Sequence, residues 1–354
     1  MPDQPKVAVL GAGNWGTTVA NLIAINGFPV WLWARSAELC REINEDHTNS
    51  RYLAGLPLSP LVRATDDLEQ AVREVDMMFI IIPSQGFRPV CADLGPLVKP
   101  QQMAVHGTKG LELDSHKRMS ELILEETCMR QHGVLSGPNI AREICEGKPA
   151  GTVLASRFPR VIQRATELLR SKQMRVYGNV DVVGVELAGT LKNIIAIAAG
   201  MATEMQLGEN AKSLLITRGL SEIARLGVAL GADPMTFSGV AGIGDLMVTC
   251  ASPLSRNNRV GAALARGDTL DQAIAALGMV AEGVKAAKIA HQLTNTLGLR
   301  SPLIHGVYKV VHEQLDPRLA LRELMSGAAQ DDIDPSLFQA QSQSPSSFGP
   351  RGRA

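Results

Sequence analysis

The fold is decided by the stretch Val7-Ala8-Val9-Leu10-Gly11-Ala12-Gly13-Asn14-Trp15-Gly16, which the helical pattern TTVANLIAING follows. Its apolar start predicts a short buried strand, and its glycines form a Gly-x-Gly-x-x-Gly loop between strand and helix. In this context Gly11 makes the tight turn, Gly13 lets a pyrophosphate approach the backbone, and Gly16 lets the helix pack on the strand. The stretch therefore predicts a dinucleotide site, and a glycine-rich turn without a ligand is the alternative.

Short apolar runs recur through the first half of the chain and alternate with charged stretches of helical pattern. After the first strand they are Val30–Trp33, Met78–Ile82, Met103–His106, Val134–Leu135, Thr152–Leu154 and Met174–Val176. Their apolar character is continuous rather than alternating, which is typical of strands buried on both faces. With intervening helices, these strands predict an α/β Rossmann domain, with a doubly wound and mostly parallel sheet, in residues 1–180.

The second half of the chain has a different pattern. Apolar residues recur at intervals of three and four in segments rich in Ala, Leu, Ile and Glu. These segments are Val183–Met205, Ala211–Gly227, Thr269–Leu277 and Val284–Leu297. They predict an all-helical domain over residues 181–335, and the Ser-, Gln- and Pro-rich residues 336–354 are expected to form a disordered tail.

Charge and cysteine usage argue against several classes of protein. The 354 residues carry 35 basic and 35 acidic side chains, a balance that argues against nucleic-acid binding and polybasic membrane attachment. The 5 scattered cysteines argue against a disulfide framework and a thiolate zinc site, and favour the reducing cytoplasm. The 7 histidines include no HExxH motif, so no metal is predicted. The longest apolar run, Ile194–Ala202, is shorter than the roughly 20 residues of a membrane span, so no integral membrane association is expected.

Arg35 bears on the choice of cofactor. It follows the second predicted strand, about 20 residues after the glycine loop, where an NAD-specific enzyme usually places Asp or Glu. A guanidinium there can stack on adenine and accept a 2′-phosphate. We therefore expect NADPH to bind at least as well as NADH, with a solvated surface arginine as the alternative.

Two glycine-containing segments follow predicted strands, at the sheet edge where doubly wound folds bind ligands. In HGTKGL (106–111), Lys109 lies between glycines and can reach a bound anion, although an ordinary loop lysine is the alternative. In LSGPNIA (135–141), Asn139 is expected to cap the following helix, whose free amides favour an anion or a carboxamide. A capped helix without a ligand would explain the second segment equally well.

Lys192 lies inside the predicted helix Val183–Met205 with small and apolar neighbours at intervals of three and four. These neighbours are Ala188, Gly189, Ile195, Ala196 and Ala199. Burial, and a second cation such as Lys109 nearby, would lower the pKa of Lys192 from about 10.4 and suit it to proton exchange near neutral pH. The alternative is a lysine whose ammonium reaches solvent at a domain interface.

Three later segments complete the candidate site. The glycines of GVAGIG (239–244) predict a tight turn that fixes the position of Asp245. The run Ser255-Arg256-Asn257 supplies a hydroxyl, a charged fork and an amide, which suit phosphate oxygens, although basic runs are more often plain surface. The segment MVAEGV (279–284) starts another helix, and its glycine indicates a close approach.

Seven segments together resemble one family in their order and spacing. They are GAGNWGTTVA, HGTKGLE, LSGPNIAREI, ELAGTLKNIIAIAAG, GVAGIGDLMVTC, SRNNRVG and AEGV. This series closely resembles NAD(P)-dependent glycerol-3-phosphate dehydrogenase of the bacterial type, and LKNIIAIAAG, GIGDL and SRN are its most specific parts. The resemblance implies a Rossmann domain followed by a helical domain of the 6-phosphogluconate dehydrogenase type. It also implies a homodimer that uses NADPH or NADH to reduce dihydroxyacetone phosphate reversibly to sn-glycerol 3-phosphate for glycerophospholipid synthesis.

The resemblance further implies roles for individual residues, with Lys192 as the catalytic proton donor or acceptor. The substrate would be surrounded by Lys109, Gly137, Asn139, Lys192, Asp245, Ser255, Arg256 and Asn257. The cofactor would be lined by Gly11, Gly13, Asn14, Trp15, Gly16, Arg35, Tyr52, Lys109, Ala141, Arg256, Val280 and Glu282. Asn139 and Ile140 depart from the Ser or Thr and the Phe of bacterial members, so a backbone contact at 139 is better supported than a side-chain contact. Asn258 replaces a frequent Arg.

Two rival functions stay open at this point. One is an enzyme of the same two-domain build that acts on a different 2-oxo or 3-hydroxy compound, against which the Ser255–Asn257 run argues. The other is a non-catalytic nucleotide sensor. The joint presence of Lys109, Lys192 and Asp245 argues against a sensor, because a sensor needs no desolvated lysine facing its cofactor.

Overall fold

The computed structural model describes residues 6–278 and 281–326. Within them one sheet has the strand order β3-β2-β1-β4-β5-β6-β7-β8. Its strands are β1 (Val7–Leu10), β2 (Val30–Trp33), β3 (Val62–Thr65), β4 (Met77–Ile80), β5 (Met103–His106), β6 (Gln131–Ser136), β7 (Ala150–Ala155) and β8 (Met174–Asn179). All neighbours are parallel except β6 and β7, which are antiparallel. The predicted mostly parallel sheet is confirmed.

The chain changes direction across the sheet at β1. Val7 pairs with Val30 of β2 on one side and with Met77 of β4 on the other. In open α/β sheets, ligands bind in the crevice at the carboxyl ends of the strands that flank such a switch point. The loop Gly11–Gly16 follows β1 directly and therefore lies at this crevice.

Helices cover both faces of the sheet. They are α1 (Asn14–Ile25), α2 (Ala37–Glu45), α3 (Ser50–Leu53), α4 (Leu68–Val72), α5 (Phe87–Leu94), α6 (Met119–Glu126), α7 (Ala141–Cys145) and α8 (Pro159–Leu169). Along β1, Val7 and Val9 belong to one apolar cluster while Ala8 and Leu10 belong to another. Successive side chains of a strand point to opposite faces of the sheet. A strand that lies between two apolar cores therefore needs apolar residues at successive positions, which explains the continuous apolar runs of the sequence.

Strand β3 is absent from the sequence prediction. It reads VRAT, lies at the edge of the sheet, and exposes Arg63 between buried neighbours. A four-residue edge strand with a charged residue lacks the continuous apolar run by which the central strands are identified.

The described part of the second half is helical, as predicted, while residues 327–335 of the predicted helical domain and the predicted disordered tail 336–354 lie outside the described residues. Its helices are α9 (Val182–Glu204), α10 (Gly208–Ala229), α11 (Pro234–Phe237), α12 (Asp245–Ala251), α13 (Arg256–Arg266), α14 (Leu270–Leu277), α15 (Glu282–Thr296), α16 (Pro302–Glu313) and α17 (Pro317–Ser326). A π-helical turn, Val240–Gly244, precedes α12.

Helix α9 is the centre of the helical core. By length and apolarity it would suit a membrane span, but 94% of the qualifying window is buried inside the protein. Helix α13 packs on it at glycine positions: a Cβ at Gly261 would lie 1.9 Å from the carbonyl oxygen of Ile197, and one at Gly200 would lie 2.0 Å from that of Asn258. This close packing sets the start of α13 beside α9.

Candidate active site

The Gly11–Gly16 loop is crowded at two glycines and open at the third. Gly11 has φ +112°, and a Cβ there would lie 2.2 Å from the carbonyl oxygen of Ile81. A Cβ at Gly16 would lie 1.8 Å from the carbonyl oxygen of Gly11. A Cβ built at Gly13 would have no heavy atom within 4 Å apart from its chain neighbours. The first turn of α1 has neither an acidic residue nor a side-chain cap. The helix start therefore offers free amide groups and room for an anion such as a pyrophosphate.

Other residues predicted to line a cofactor surround this loop. Asn14 is exposed at the start of α1, and Arg35 is exposed directly after β2. The indole of Trp15 lies against Gly107, whose Cβ position would be 3.0 Å from Trp15 Nε1. Tyr52 is half-buried against the core cluster of the α1 face, and Ala141 begins α7.

Glu282 contacts the Rossmann domain from the start of α15. Its Oε1 accepts a hydrogen bond from the backbone N–H of Ser84 at 3.3 Å, and its Oε2 accepts one from the Ser84 hydroxyl at 2.9 Å. Ser84 lies just after β4, and a Cβ at Gly110 would be 3.3 Å from Glu282 Oε2. The structure thus brings the predicted residue Glu282 to the same sheet edge as Lys109. The predicted residue Val280 lies outside the described residues.

One carboxylate joins two lysines from the two halves of the chain. Asp245 Oδ1 lies 2.5 Å from Lys192 Nζ, and Asp245 Oδ2 lies 2.6 Å from Lys109 Nζ. The Lys109 ammonium also donates to the carbonyl oxygen of Gly137 at 3.4 Å. Three predicted site residues that are far apart in the sequence therefore form one cluster.

All three N–H bonds of the Lys192 ammonium have acceptors on α12. They are Asp245 Oδ1, the Asp245 carbonyl oxygen at 3.3 Å, and the hydroxyl of Thr249. The Thr249 hydroxyl in turn donates to the Asp245 carbonyl oxygen at 2.6 Å. The sequence reasoning missed Thr249, although its position one helical turn after Asp245 places it on the same face of α12.

Lys192 is 4% exposed and does not reach solvent, which excludes the interface alternative. Burial lowers the pKa of Lys192 to about 7, since Asp245, which raises it, is partly offset by the nearby Lys109. The predicted shift toward neutral pH and its predicted causes are confirmed. The resulting amine can gain and lose a proton in the physiological range.

The start of α13 is fixed beside Lys192 by buried amides. Ser255 caps the helix, since its hydroxyl accepts the N–H of Asn258 at 3.3 Å. Asn257 donates to Oδ1 of Asn193, the residue after Lys192, at 2.9 Å. Asn257 Oδ1 also accepts the N–H of Gly283 at 3.0 Å, and a Cβ at Gly283 would lie 2.7 Å from the carbonyl oxygen of Asn193. The predicted close approach at Gly283 is confirmed, and Asn193 is a second residue that the sequence reasoning missed.

The predicted capping role of Asn139 is wrong. The N-cap of α7 is Ile140, and it makes no side-chain capping bond. The Asn139 amide instead bonds to β7: its Nδ2 donates to the carbonyl oxygen of Gly151 at 3.1 Å, and its Oδ1 accepts from the Thr152 hydroxyl at 3.0 Å. These bonds to the neighbouring strand fix the Asn139 side chain and leave one of its N–H groups and one lone pair without a partner in these bonds.

Two family models match the chain. The model described as NAD-dependent glycerol-3-phosphate dehydrogenase N-terminus matches residues 6–161. The model described as NAD-dependent glycerol-3-phosphate dehydrogenase C-terminus matches residues 181–322. The two matches contain all described residues of the predicted site.

Curated relatives and solved structures agree with these matches. Glycerol-3-phosphate dehydrogenase [NAD(P)+] of Streptomyces griseus is 45% identical over 92% of this chain and 98% of its own length. The protein of the same name from Acinetobacter baylyi is 45% identical over 93% of this chain and 92% of its own length. The crystal structure of glycerol-3-phosphate dehydrogenase from Coxiella burnetii superposes with a TM-score of 0.88 at 36% identity, covering 92% of this chain and 99% of that one.

Proposed function

Because this chain belongs to the NAD-dependent glycerol-3-phosphate dehydrogenase family, we propose that it catalyses the reversible reduction of dihydroxyacetone phosphate to sn-glycerol 3-phosphate with NADPH or NADH. The observation that carries this proposal is the buried Lys192 ammonium, bonded to Asp245 within a site that also contains a dinucleotide-type glycine loop. A reduction of this type needs a proton donor beside a nicotinamide site, and this arrangement supplies one.

The start of α13 is the proposed binding site for the substrate phosphate. The helix has 11 residues, no acidic residue in its first turn, and a serine at its N-cap. Free amides and the helix dipole favour an anion at such a position, and the Arg256 guanidinium can bind phosphate oxygens in a bidentate manner. We assign Ser255, Arg256 and Asn257 to this phosphate, and Lys109, Gly137, Asn139 and Asp245 to the remainder of the substrate.

The cofactor residues follow from the loop and its surroundings. The nicotinamide supplies a hydride from its C4 to the carbonyl carbon of the substrate when bound. The open side of Gly13 accommodates the pyrophosphate, and the exposed Arg35 can accept a 2′-phosphate, so both NADPH and NADH are substrates. The remaining contacts are assigned to Gly11, Asn14, Trp15, Gly16, Tyr52, Lys109, Ala141, Arg256, Val280 and Glu282.

Lys192 is the proposed proton donor in the reduction. As an ammonium it protonates the carbonyl oxygen while the hydride arrives, and in the oxidation it removes the same proton as a neutral amine. Its pKa of about 7 suits both directions near neutral pH. Asp245 contacts both Lys192 and Lys109 through one carboxylate, and these contacts orient the two ammonium groups before the substrate binds.

We also propose a domain division, a cellular compartment, an assembly state and a metabolic role for the enzyme. We propose a division into a Rossmann domain of residues 1–180 and a helical domain of residues 181–335, which is supported by the end of β8 at Asn179 and the start of α9 at Val182. The five cysteines are free thiols, which supports a reducing cytoplasm. Assembly as a homodimer and a role in supplying glycerophospholipid synthesis rest on the family resemblance alone.

A spectrophotometric assay tests the proposal. Purified protein is mixed with dihydroxyacetone phosphate and either NADPH or NADH, and the loss of absorbance of the reduced nicotinamide is followed. Oxidation is expected with both cofactors. Dihydroxyacetone, which lacks the phosphate, is the matched control and should react far more slowly because it cannot use the binding energy of the α13 site. Absence of oxidation with both nicotinamides would discard the proposed function.

A further inference from the structure

A second buried acid, Glu186, lies on the same helix as Lys192. It is 6% exposed and precedes Lys192 by six residue steps of α9, or about 9 Å at about 1.5 Å per residue. Neither the family motifs nor the proposed chemistry assigns it a task. A carboxylate this deeply buried is costly unless it is paired, so its partners indicate what it does.

All its close partners come from one segment of the Rossmann domain. Glu186 Oε1 accepts the backbone N–H of Ser120 at 2.9 Å, and Oε2 accepts the Ser120 hydroxyl at 2.6 Å and Arg118 Nη1 at 2.9 Å. His106 Nε2 lies 3.0 Å from Oε1, without the alignment of a directed hydrogen bond. Burial alone would raise the pKa of Glu186, but His106 and then Arg118 lower it to about 2, so the group is a carboxylate at neutral pH.

These partners bracket the loop that carries Lys109. His106 is the last residue of β5, and Arg118 and Ser120 lie at the start of α6. Between them, Leu111 bridges to Arg118 in an isolated antiparallel pair. Glu186 therefore hydrogen-bonds the α6 end of the segment 106–120 and lies 3.0 Å from His106 at its β5 end.

The middle of the same segment is also tied to the Rossmann domain. Glu112 receives two bonds from the guanidinium of Arg88 on α5, at 2.6 and 2.8 Å. Because the α6 end of the segment is bonded to Glu186 and its middle to Arg88, the position of the segment relative to α9 depends on Glu186. Lys109 contacts the carboxylate of Asp245. Lys192, which lies on α9 together with Glu186, contacts the same carboxylate.

We propose that Glu186 is a positioning residue of the active site: by binding the α6 end of the segment 106–120 to α9 and lying beside His106 at the β5 end, it places Lys109 and Lys192 at the spacing that one Asp245 carboxylate can bridge. Its loss is expected to affect the chemical step more than cofactor binding, because Glu186 contacts the lysine-bearing elements directly and the cofactor site only through the segment 106–120. The proposal rests on the proposed dehydrogenase function.

Glu186→Gln tests the proposal, because it keeps the shape of the side chain and removes the charge. A misplacement of about 1 Å can cost about 100-fold in rate, so we expect kcat to fall by about 10-fold to 100-fold. The primary isotope effect on kcat with deuterated NADPH should rise, because hydride transfer becomes more rate-limiting. The dissociation constant of NADPH, measured by fluorescence titration, should change less than kcat does, and Glu186→Asp should recover part of kcat.

Glu222→Gln is the matched control. Glu222 is 5% exposed and also accepts two backbone N–H groups at the start of a helix, those of Leu303 at 2.9 Å and Ile304 at 3.0 Å of α16. It contacts no part of the segment 106–120 in the bonds that the structure gives it. Glu222→Gln should lower the temperature of thermal unfolding, while kcat and the isotope effect remain those of the wild type. Equal losses of kcat in both variants would show that Glu186 acts only through stability and would overturn the proposal.

Milder variants cover the case in which Glu186→Gln does not fold. Arg118→Met and Ser120→Ala each remove one partner of the carboxylate, and each should lower kcat with the same rise in isotope effect. Wild-type kcat in both would overturn the proposal. Amide hydrogen exchange of residues 107–111 gives a readout without substrate: it should accelerate in these variants and not in Glu222→Gln. If the wild-type protein oxidises no nicotinamide, the function has failed, and the exchange result still decides whether Glu186 fixes the loop.

Discussion

The two halves of the chain bring the same chemical group to the site in different ways. Lys109 comes from a glycine-flanked loop of the Rossmann domain, and its side chain is 28% exposed. Lys192 comes from the interior of a core helix, and its side chain is 4% exposed. Both ammonium groups contact Asp245, yet burial lowers the pKa of Lys192 to about 7. The comparison teaches that environment, rather than residue type, distinguishes the lysine proposed for proton transfer from the lysine proposed to bind anions.

The largest expected effect comes from removing the buried member of the pair. Lys192→Ala should lower kcat by about 1,000-fold or more, because a general acid contributes about 100- to 10,000-fold. The dissociation constant of NADPH should be retained, since Lys192 does not contact the Gly11–Gly16 loop. Steady-state kinetics and fluorescence titration measure the two quantities. Lys172→Ala, at an exposed lysine, is the control, and near-normal turnover of Lys192→Ala would contradict its role.

Replacing the shared carboxylate should have the next largest effect. Asp245→Asn leaves one carbonyl oxygen and no negative charge to hold two ammonium groups, so both lysines lose their common anchor. We expect kcat for reduction to fall by about 100-fold, comparable to the loss of one preorganised electrostatic partner. Asp268→Asn, at an exposed aspartate, should leave kcat unchanged. An Asp245→Asn enzyme of wild-type kcat would mean that the lysines are placed by other contacts.

The pH dependence should reverse with the direction of the reaction. Reduction needs the ammonium form of Lys192, so its kcat/KM should decline as pH rises through about 7, approaching tenfold per pH unit above that value. Oxidation needs the neutral amine, so its kcat/KM should rise through the same pH. Profiles of kcat/KM measured in both directions check this, because this quantity reports the pKa of the free enzyme. Two profiles with the same slope would exclude Lys192 as the titrating group.

The smallest expected effects are opposite shifts in that apparent pKa. Lys109 lowers the pKa of Lys192 and Asp245 raises it. Lys109→Met should therefore move the midpoint of the pH profile upward, and Asp245→Asn should move it downward. The same two profiles, recorded for each variant, give the comparison. A midpoint that moves downward or stays unchanged in Lys109→Met would show that Lys109 does not lower the pKa of Lys192.

The sequence predicts some elements of the fold better than others. The central strands and the glycine loop can be predicted, because continuous apolar runs and the Gly-x-Gly-x-x-Gly spacing each reflect local constraints. Edge strand β3 cannot, since Arg63 interrupts its apolar pattern. The capping prediction for Asn139 is wrong because the actual hydrogen-bond partners of its side chain, Gly151 and Thr152, lie on β7. The local sequence does not show that this strand is adjacent.

The contacts within the site were beyond local sequence patterns. Lys192 and Asp245 are 53 residues apart in the chain, and their pairing follows from the packing of α12 on α9. Thr249 could have been found from its spacing of four from Asp245, once that residue was placed on a helix. Glu186 gave no local signal, because a glutamate in a helical segment is ordinarily an exposed residue.

The full set of hydrogen bonds around Lys192 affects how a substrate binds. Its three N–H bonds already have acceptors, so an incoming carbonyl oxygen must replace one of them. The Asp245 carbonyl oxygen, at 3.3 Å the longest of the three contacts, is the acceptor that is replaced most readily, because it keeps the bond from the Thr249 hydroxyl. Binding at the reacting atom is then an exchange of one hydrogen bond for another and gains little affinity. The affinity of the substrate must come from its phosphate end, and the contact with Lys192 strengthens only as negative charge develops on the oxygen.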